Sequence, residues 1–291
     1  MIDNMLPSFI ITFREALEAA LIVGIIAAYI AKLGRKDLNR YLAVGVVAAL
    51  AASAGVAMIF KTVYGGLEGM AEQLFEGAAA LTAAVVLTYM IFWMAGNSKK
   101  IKGELQEKVD ISISKGEMLG IAVLSFIAVF REGVETVLFL GTLAISSPVD
   151  TLAGFALGVI VVVLLSAIMF RGIFRLDMSK FFKYTSILLI LFSAGLTATA
   201  VHEFNEAGVI PAVIEHIWDI NPALNPDGSY PPFHENGLIG GSLKSLIGYN
   251  GNPSLTEVFA YIGYWIIIGM FVYRSFKVPR EVKHGSRYTQ D

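Results

Sequence analysis

The chain has no cysteine among its 291 residues, and charged residues make up only 16% of it. Without cysteine there are no disulfides and no thiolate metal sites, so a bound metal must be held by oxygen or imidazole ligands. The low charge, a hydrophobic content of 56% and a mean hydropathy of +0.67 lie outside the range of soluble globular proteins. The net charge of −2 indicates no nucleic-acid partner. We therefore predict an integral membrane protein in contact with the lipid bilayer.

Seven apolar runs are long enough to cross a hydrocarbon core of about 30 Å, which takes about 20 helical residues. They cover residues 6–31, 41–60, 73–96, 118–146, 149–170, 184–201 and 255–276. An isolated strand cannot satisfy its backbone in lipid, so these runs predict an all-α protein with about seven transmembrane helices. The first run has no basic stretch before it and no small-residue cleavage site, and we expect it to be permanent.

The basic residues indicate how these spans are oriented. Eighteen of the 22 lie after spans one, three, five and seven, and the alternate connections hold only Lys61 and Lys244. The remaining two, Arg14 and Arg131, lie inside spans. Because basic loops stay in the cytoplasm, we predict an outside N-terminus, a cytoplasmic C-terminus and, for a bacterial chain, the inner membrane as location.

A repeat divides the chain. Residues 8–18 (SFIITFREALE) align without gaps to residues 125–135 (SFIAVFREGVE). With three spans per unit, the second copy runs opposite to the first, an inverted repeat typical of transporters with a midplane site. Within this single permease domain we predict repeat one at 1–117, repeat two at 118–208, an extracytoplasmic loop at 209–254, and an extra seventh helix with a cytoplasmic tail at 255–291.

Each copy of the repeat carries one arginine and two glutamates three residues apart. They are Arg14, Glu15 and Glu18 in the first copy and Arg131, Glu132 and Glu135 in the second. Each such charge facing lipid costs about 2.5–3.5 kcal/mol, so we expect all six to face the bundle interior. Four converging carboxylates would be stabilised by a hard cation such as Fe(III), Fe(II), Ca, Mg or Mn. The arginines would support the site by pairing with one glutamate each; the alternative is a purely structural network of ion pairs.

Three further residues are candidate metal ligands on the path from outside. Glu76 lies at the outer end of the third span, and His202 and Glu203 lie at the outer end of the sixth. The alternative for each is an ordinary polar helix end. The acidic stretch after them is rich in proline and glycine, which marks turns, although 209–220 could form a short interfacial helix.

These motifs resemble the oxidase-dependent iron permeases. The resemblance covers nearly the whole chain and rests on the paired Arg-Glu-x-x-Glu motifs, on Glu76-Gly77, on residues 202–208 (HEFNEAG) and on residues 248–254 (GYNGNPS). It implies iron as transported substrate, no organic cofactor, no enzymatic activity and separate periplasmic iron-binding or iron-oxidising partners. In that family the paired motifs are held to bind iron. One departure is Ala16, where the usual glycine occurs only in the second copy, as Gly133.

The expected mechanism is entry of iron past the outer residues, binding between the two glutamate pairs, and inward release as the repeat units rock. A permease for another divalent cation (Mn, Ca or Pb) remains an alternative. So does a membrane-embedded di-iron oxidoreductase, although such sites use Glu-x-x-His and the predicted spans contain none. No P-loop sequence indicates ATP coupling.

Overall fold

The computed structural model describes residues 5–97, 100–114, 118–170 and 178–277, and the regular secondary structure in these ranges is entirely helical. The helices are α1 (Met5–Lys32), α2 (Asn39–Tyr64), α3 (Met70–Asn97), α4 (Ile101–Ser114), α5 (Met118–Ser146), α6 (Pro148–Phe170), α7 (Met178–Glu206), α8 (Leu238–Ile247) and α9 (Leu255–Lys277). A short 3₁₀ turn, Lys36–Leu38, precedes α2. The predicted all-α class is confirmed.

Five described helices are long and apolar enough to cross a membrane, within α2, α3, α6, α7 and α9. Helices α1 and α5 have 28 and 29 residues, about 42 Å at 1.5 Å per residue, which also exceeds the hydrocarbon core. Each of them carries the three charged residues of one Arg-Glu-x-x-Glu motif. The count of seven spans and the orientation stay predictions.

Two pairs of helices pack in parallel through small residues. Gly45 of α2 lies against Ser125 of α5, and Ser53 of α2 lies against Gly133 further along α5. In the other pair Gly154 of α6 lies against Ser8 of α1. Small residues let helix backbones approach closely, which is the main source of packing energy between helices in lipid. Gly133 of the second motif is one of these close contacts, packed against the Ser53 side chain.

Helices α3 and α7 form an antiparallel pair that carries an apolar core. The Ser193 hydroxyl donates to the Ala84 carbonyl at 3.1 Å, and Gly77 contacts Phe204 at the other end of the pair. Buried Leu87 and Phe139 link this pair to α5. Helix α9 joins it through Tyr264, whose hydroxyl lies 3.0 Å from the Thr88 hydroxyl.

Helix α4 is an element that the hydropathy pattern missed. Its buried Leu105 and Val109 pack against Ile30 of α1 and Ile121 of α5. The two α4 residues are four apart, a helical signal inside an otherwise polar stretch. Helix α4 therefore covers the ends of α1 and α5 that carry the cytoplasmic charges in the predicted orientation.

The segment between α7 and α9 differs from expectation. The predicted interfacial helix at 209–220 is wrong: Pro211 has no amide hydrogen to donate, and Val213 has a φ of 63°, outside the helical region. This stretch instead pairs with the approach to α9, through Ile217 N to Pro253 O at 3.0 Å. Gly240 and Gly241 belong to the proline- and glycine-rich stretch in which turns are expected, but they lie inside α8.

We expect Gly45→Ala to destabilise the bundle by about 1–3 kcal/mol, because its new methyl group would lie 2.2 Å from the Ala122 carbonyl oxygen and force α2 away from α5. Thermal unfolding in detergent measures the loss. Gly269→Ala on α9, with nothing within 4 Å, is the matched control. Equal unfolding temperatures for the two variants would contradict this account of the α2–α5 contact.

Candidate metal-ion site

Helices α1 and α5 run antiparallel and bring the two motifs together. Ile30 of α1 packs near Ile121 of α5, whereas Glu15 lies beside Glu132, so the residue numbers run in opposite directions. One carboxylate oxygen from each of Glu15, Glu132 and Glu135 lies within 4.8 Å of the others. In the described part of the chain these residues form the one such group of potential metal ligands.

The carboxylates are buried and incompletely paired. Glu15 is 0% exposed and Glu132 is 2% exposed. The Oε2 atoms of Glu15, Glu132 and Glu135 have no hydrogen-bond partner in the protein. A buried acceptor without a partner is costly, and a cation bound by these carboxylates would reduce that cost.

Arg14 serves the first motif and is completely enclosed. Its Nη1 donates to Glu15 Oε1 at 2.6 Å, and its Nη2 forms an ion pair with Glu18 Oε1 at 2.9 Å. The Met90 sulfur lies 3.9 Å from the same Nη1. Arg14 is 1% exposed and pairs with both Glu15 and Glu18. Glu18 therefore pairs with the arginine and does not belong to the group of three neighbouring oxygens.

Arg131 serves the second motif in a different environment. Its Nε donates to Glu132 Oε1 at 3.1 Å, whereas its contact with Glu135 is a looser 3.7 Å. Its side chain is 44% exposed, and the guanidinium carbon lies 5.3 Å from the centre of the Trp93 ring. The two motifs of the repeat therefore carry the same charged residues, but their arginines differ in burial and in their neighbours.

The charge balance of the site favours a cation of more than one charge. Four carboxylates against two guanidinium groups leave two negative charges uncompensated when all are ionised. Three oxygen ligands from two helices suit a hard metal ion, and nothing in the site offers a soft ligand except the Met90 sulfur beside Arg14.

The outer candidates form a separate group. The Tyr64 hydroxyl donates to Glu76 at 3.0 Å, and Glu203 is a hydrogen-bonding neighbour of Glu76. The motifs contact α3 at Met90 and Trp93, whereas Glu76 lies 14 residues earlier, about 21 Å along the helix. The structure therefore brings four of the predicted glutamates together at one place and two at another.

His202 forms its closest polar contacts with two other carboxylates, those of Glu257 and Glu206. Its Nδ1 lies 3.2 Å from Glu257 Oε1, and its Nε2 lies 3.7 Å from Glu206 Oε1. Glu257 is one of the residues that sequence reasoning missed. The signal was present, because Ser254-x-x-Glu257 before an apolar run is a capping box: Glu257 N donates to Ser254 Oγ at 3.3 Å and Ser254 N to Glu257 at 3.2 Å.

A cavity of about 100 Å³ lies elsewhere, between α4 and the start of α5. It is lined by Arg35, Leu38, Ser112, Ile113, Met118 and Ile121. None of the motif residues contributes to its wall, so it is not the metal site.

A helical bundle with long apolar helices and a buried group of carboxylates fits the class of multi-pass membrane transporters for cations. The model of the iron permease FTR1 family matches residues 5–278, and the chain belongs to this family. It is accordingly a multi-pass membrane permease and not an enzyme, which confirms the resemblance drawn from the motifs.

Relatives match the chain over nearly its full length. An uncharacterized protein of Archaeoglobus fulgidus is 36% identical over 94% of this chain and 96% of its own. Proteins named ferrous iron permease EfeU are 34% identical in Yersinia pestis, over 90% of this chain and 91% of theirs, and 33% identical in Escherichia coli O6:H1, over 90% and 93%. None of the solved structures is a significant match to this chain.

We expect Arg14→Met to lower the free energy of unfolding by about 3–5 kcal/mol, because it leaves two buried carboxylates without their partner. Arg131→Met should cost less than Arg14→Met, since its side chain is 44% exposed and its contact with Glu135 is looser, so that only Glu132 loses a close partner. Thermal unfolding of both variants in the same detergent, without added metal, measures the difference. Equal losses would show that the two arginines are equivalent after all.

Proposed function

We propose that this chain imports iron across a bacterial inner membrane through one site made by Glu15, Glu132 and Glu135. The observation that carries the proposal is that these three glutamates, from two different helices, bring carboxylate oxygens within 4.8 Å of one another and each keep a buried oxygen without a hydrogen-bond partner. Glu18 is the fourth glutamate of the predicted set, and it forms an ion pair with Arg14. The substrate comes from the iron permease family, since the ligands by themselves specify only a hard cation.

The relatives bear on the oxidation state. Two of them carry the name ferrous iron permease, which favours Fe(II) as the imported ion over Fe(III) and over Mn, Ca or Pb. Separate periplasmic iron-binding or iron-oxidising proteins would deliver the metal. The di-iron oxidoreductase alternative loses its support, because the family consists of permeases.

The transport cycle would rest on two inverted three-helix units with α9 as an additional span. Equivalent contacts support this arrangement: Ser8 meets Gly154 of α6, and its counterpart Ser125 meets Gly45 of α2. Both helix pairs are parallel. Each motif helix packs against the second helix of the opposite unit, α1 against α6 and α5 against α2. Rocking of these two pairs against each other would expose the shared site to either side.

The entry path would begin at Glu76 and Glu203, on the outer ends of α3 and α7. These two neighbouring carboxylates lie about 21 Å from the motif level along α3, and they would attract cations before transfer to the site. His202 would act at the rim through its contacts with Glu257 and Glu206.

We expect Glu15→Gln and Glu132→Gln each to reduce Fe(II) uptake into proteoliposomes by about 100-fold, because each removes a ligand charge while keeping the side-chain volume. Substitution of residues outside a ligand set can itself reduce activity by roughly 10- to 100-fold. Both single variants are therefore measured together with their double variant. Glu107→Gln on an exposed face of α4 is the control and should transport normally.

Uptake is followed in parallel with Fe(II) under anaerobic conditions, Fe(III) chelate and Mn(II). Fe(II) uptake that persists unchanged in the double variant would reject the proposed site. Uptake of Mn(II) in preference to iron would reject the proposed substrate.

We expect Glu76→Gln and Glu203→Gln to act differently from the motif variants. Loss of an attracting charge far from the site should raise the KM for Fe(II) several-fold and leave the maximal rate within about twofold. Initial uptake rates over a range of Fe(II) concentrations measure both quantities. A loss of maximal rate as large as that of Glu132→Gln would instead place these residues in the transport site.

A further inference from the structure

Arg131 is a cation placed beside a site for cations. It lies against Glu132, whose second carboxylate oxygen belongs to the unpartnered trio with Glu15 and Glu135. The same carboxylates attract the guanidinium group and a metal ion, so Arg131 could itself occupy the space between them. Something must hold it to one side.

The Trp93 ring is placed to do so. The guanidinium carbon of Arg131 lies 5.3 Å from the centre of this ring, within the range of a cation–π interaction. Arg131 donates a hydrogen bond to Glu132 Oε1, and its Nε lies 3.7 Å from Glu135 Oε1. Its side chain is 44% exposed and contacts Trp93 of α3.

The first motif offers a natural comparison. Arg14 has no aromatic ring against it among the described contacts; Met90 occupies that side. It is 1% exposed and bonds both glutamates of its own helix, so it has no room to move. The only arginine of the site with space to shift is therefore, among the described residues, the one that rests on Trp93.

We propose that Trp93 is a positioning residue of the iron site: it holds the Arg131 guanidinium on its ring and thereby keeps Glu132 and Glu135 available to the metal ion. This inference rests on the proposed function of the motif carboxylates. Trp93 does not touch the metal, and it acts only through Arg131.

The test is a double-mutant cycle on equilibrium Fe(II) binding by the full chain in nanodiscs under anaerobic conditions. Trp93→Leu removes the ring and should raise the Kd for Fe(II) about 3- to 30-fold, the range expected from cation–π energies. Trp93→Tyr keeps an aromatic face and should restore most of the affinity. In an Arg131→Met background, Trp93→Leu should change the Kd by less than twofold, because no guanidinium remains to be held.

The chain contains three tryptophans, and Trp265 of α9 is the matched control. It is also partly buried and packs only against Tyr261 and Tyr264 among described rings, so Trp265→Leu should leave Fe(II) binding unchanged. Thermal unfolding of every variant shows whether the protein is folded.

The outcomes separate this inference from the proposed site. An equal effect of Trp93→Leu in both backgrounds would make Trp93 a packing residue and overturn the inference. An unchanged Kd in Trp93→Leu would also overturn it, and so would a loss of Fe(II) binding in Arg131→Met. In each case loss of binding in Glu132→Gln would still support the motif site. Fe(II) binding that survives in Glu15→Gln/Glu132→Gln would overturn the proposed site itself.

Discussion

The burial of four carboxylates between two helices is the constraint on which the rest of this molecule depends. Ionised groups in the low-dielectric interior of a membrane protein need opposite charges close by. Here each motif supplies only one arginine for two glutamates, so the protein by itself leaves oxygens unpartnered. The arginines pair with the glutamates, and in the proposed function the transported ion would supply the missing positive charge.

The packing of small residues places those carboxylates. Gly45 and Gly154 let α2 and α6 approach the two motif helices so closely that no additional methyl group fits. Each motif helix is thus held by a helix of the other half of the chain. In the proposed transport cycle this packing would couple the geometry of the site to the relative position of the two halves.

The two halves are nevertheless unequal where it matters for chemistry. Arg14 is 1% exposed, whereas the Arg131 side chain is 44% exposed and rests on Trp93. The stretch between α7 and α9 adds to this asymmetry, because it folds back onto the start of α9 through hydrogen bonds from Ile217 N to Pro253 O and from Leu255 N to Ile214 O. The proposed site would thus be enclosed around Arg14 and more open around Arg131.

Hydropathy and the repeat by themselves determined the helical class, the long helices and the identity of the motif glutamates, because membrane burial leaves few alternatives for such a sequence. Helix α4 and the course of 209–220 needed the tertiary structure, since their conformation depends on packing against α1 and pairing near Pro253. Likewise only the fold could show that Glu76 neighbours Tyr64 and Glu203 and that Arg131, but not Arg14 among the described contacts, meets a tryptophan. Those relations join residues distant in sequence, and a local pattern carries no record of them.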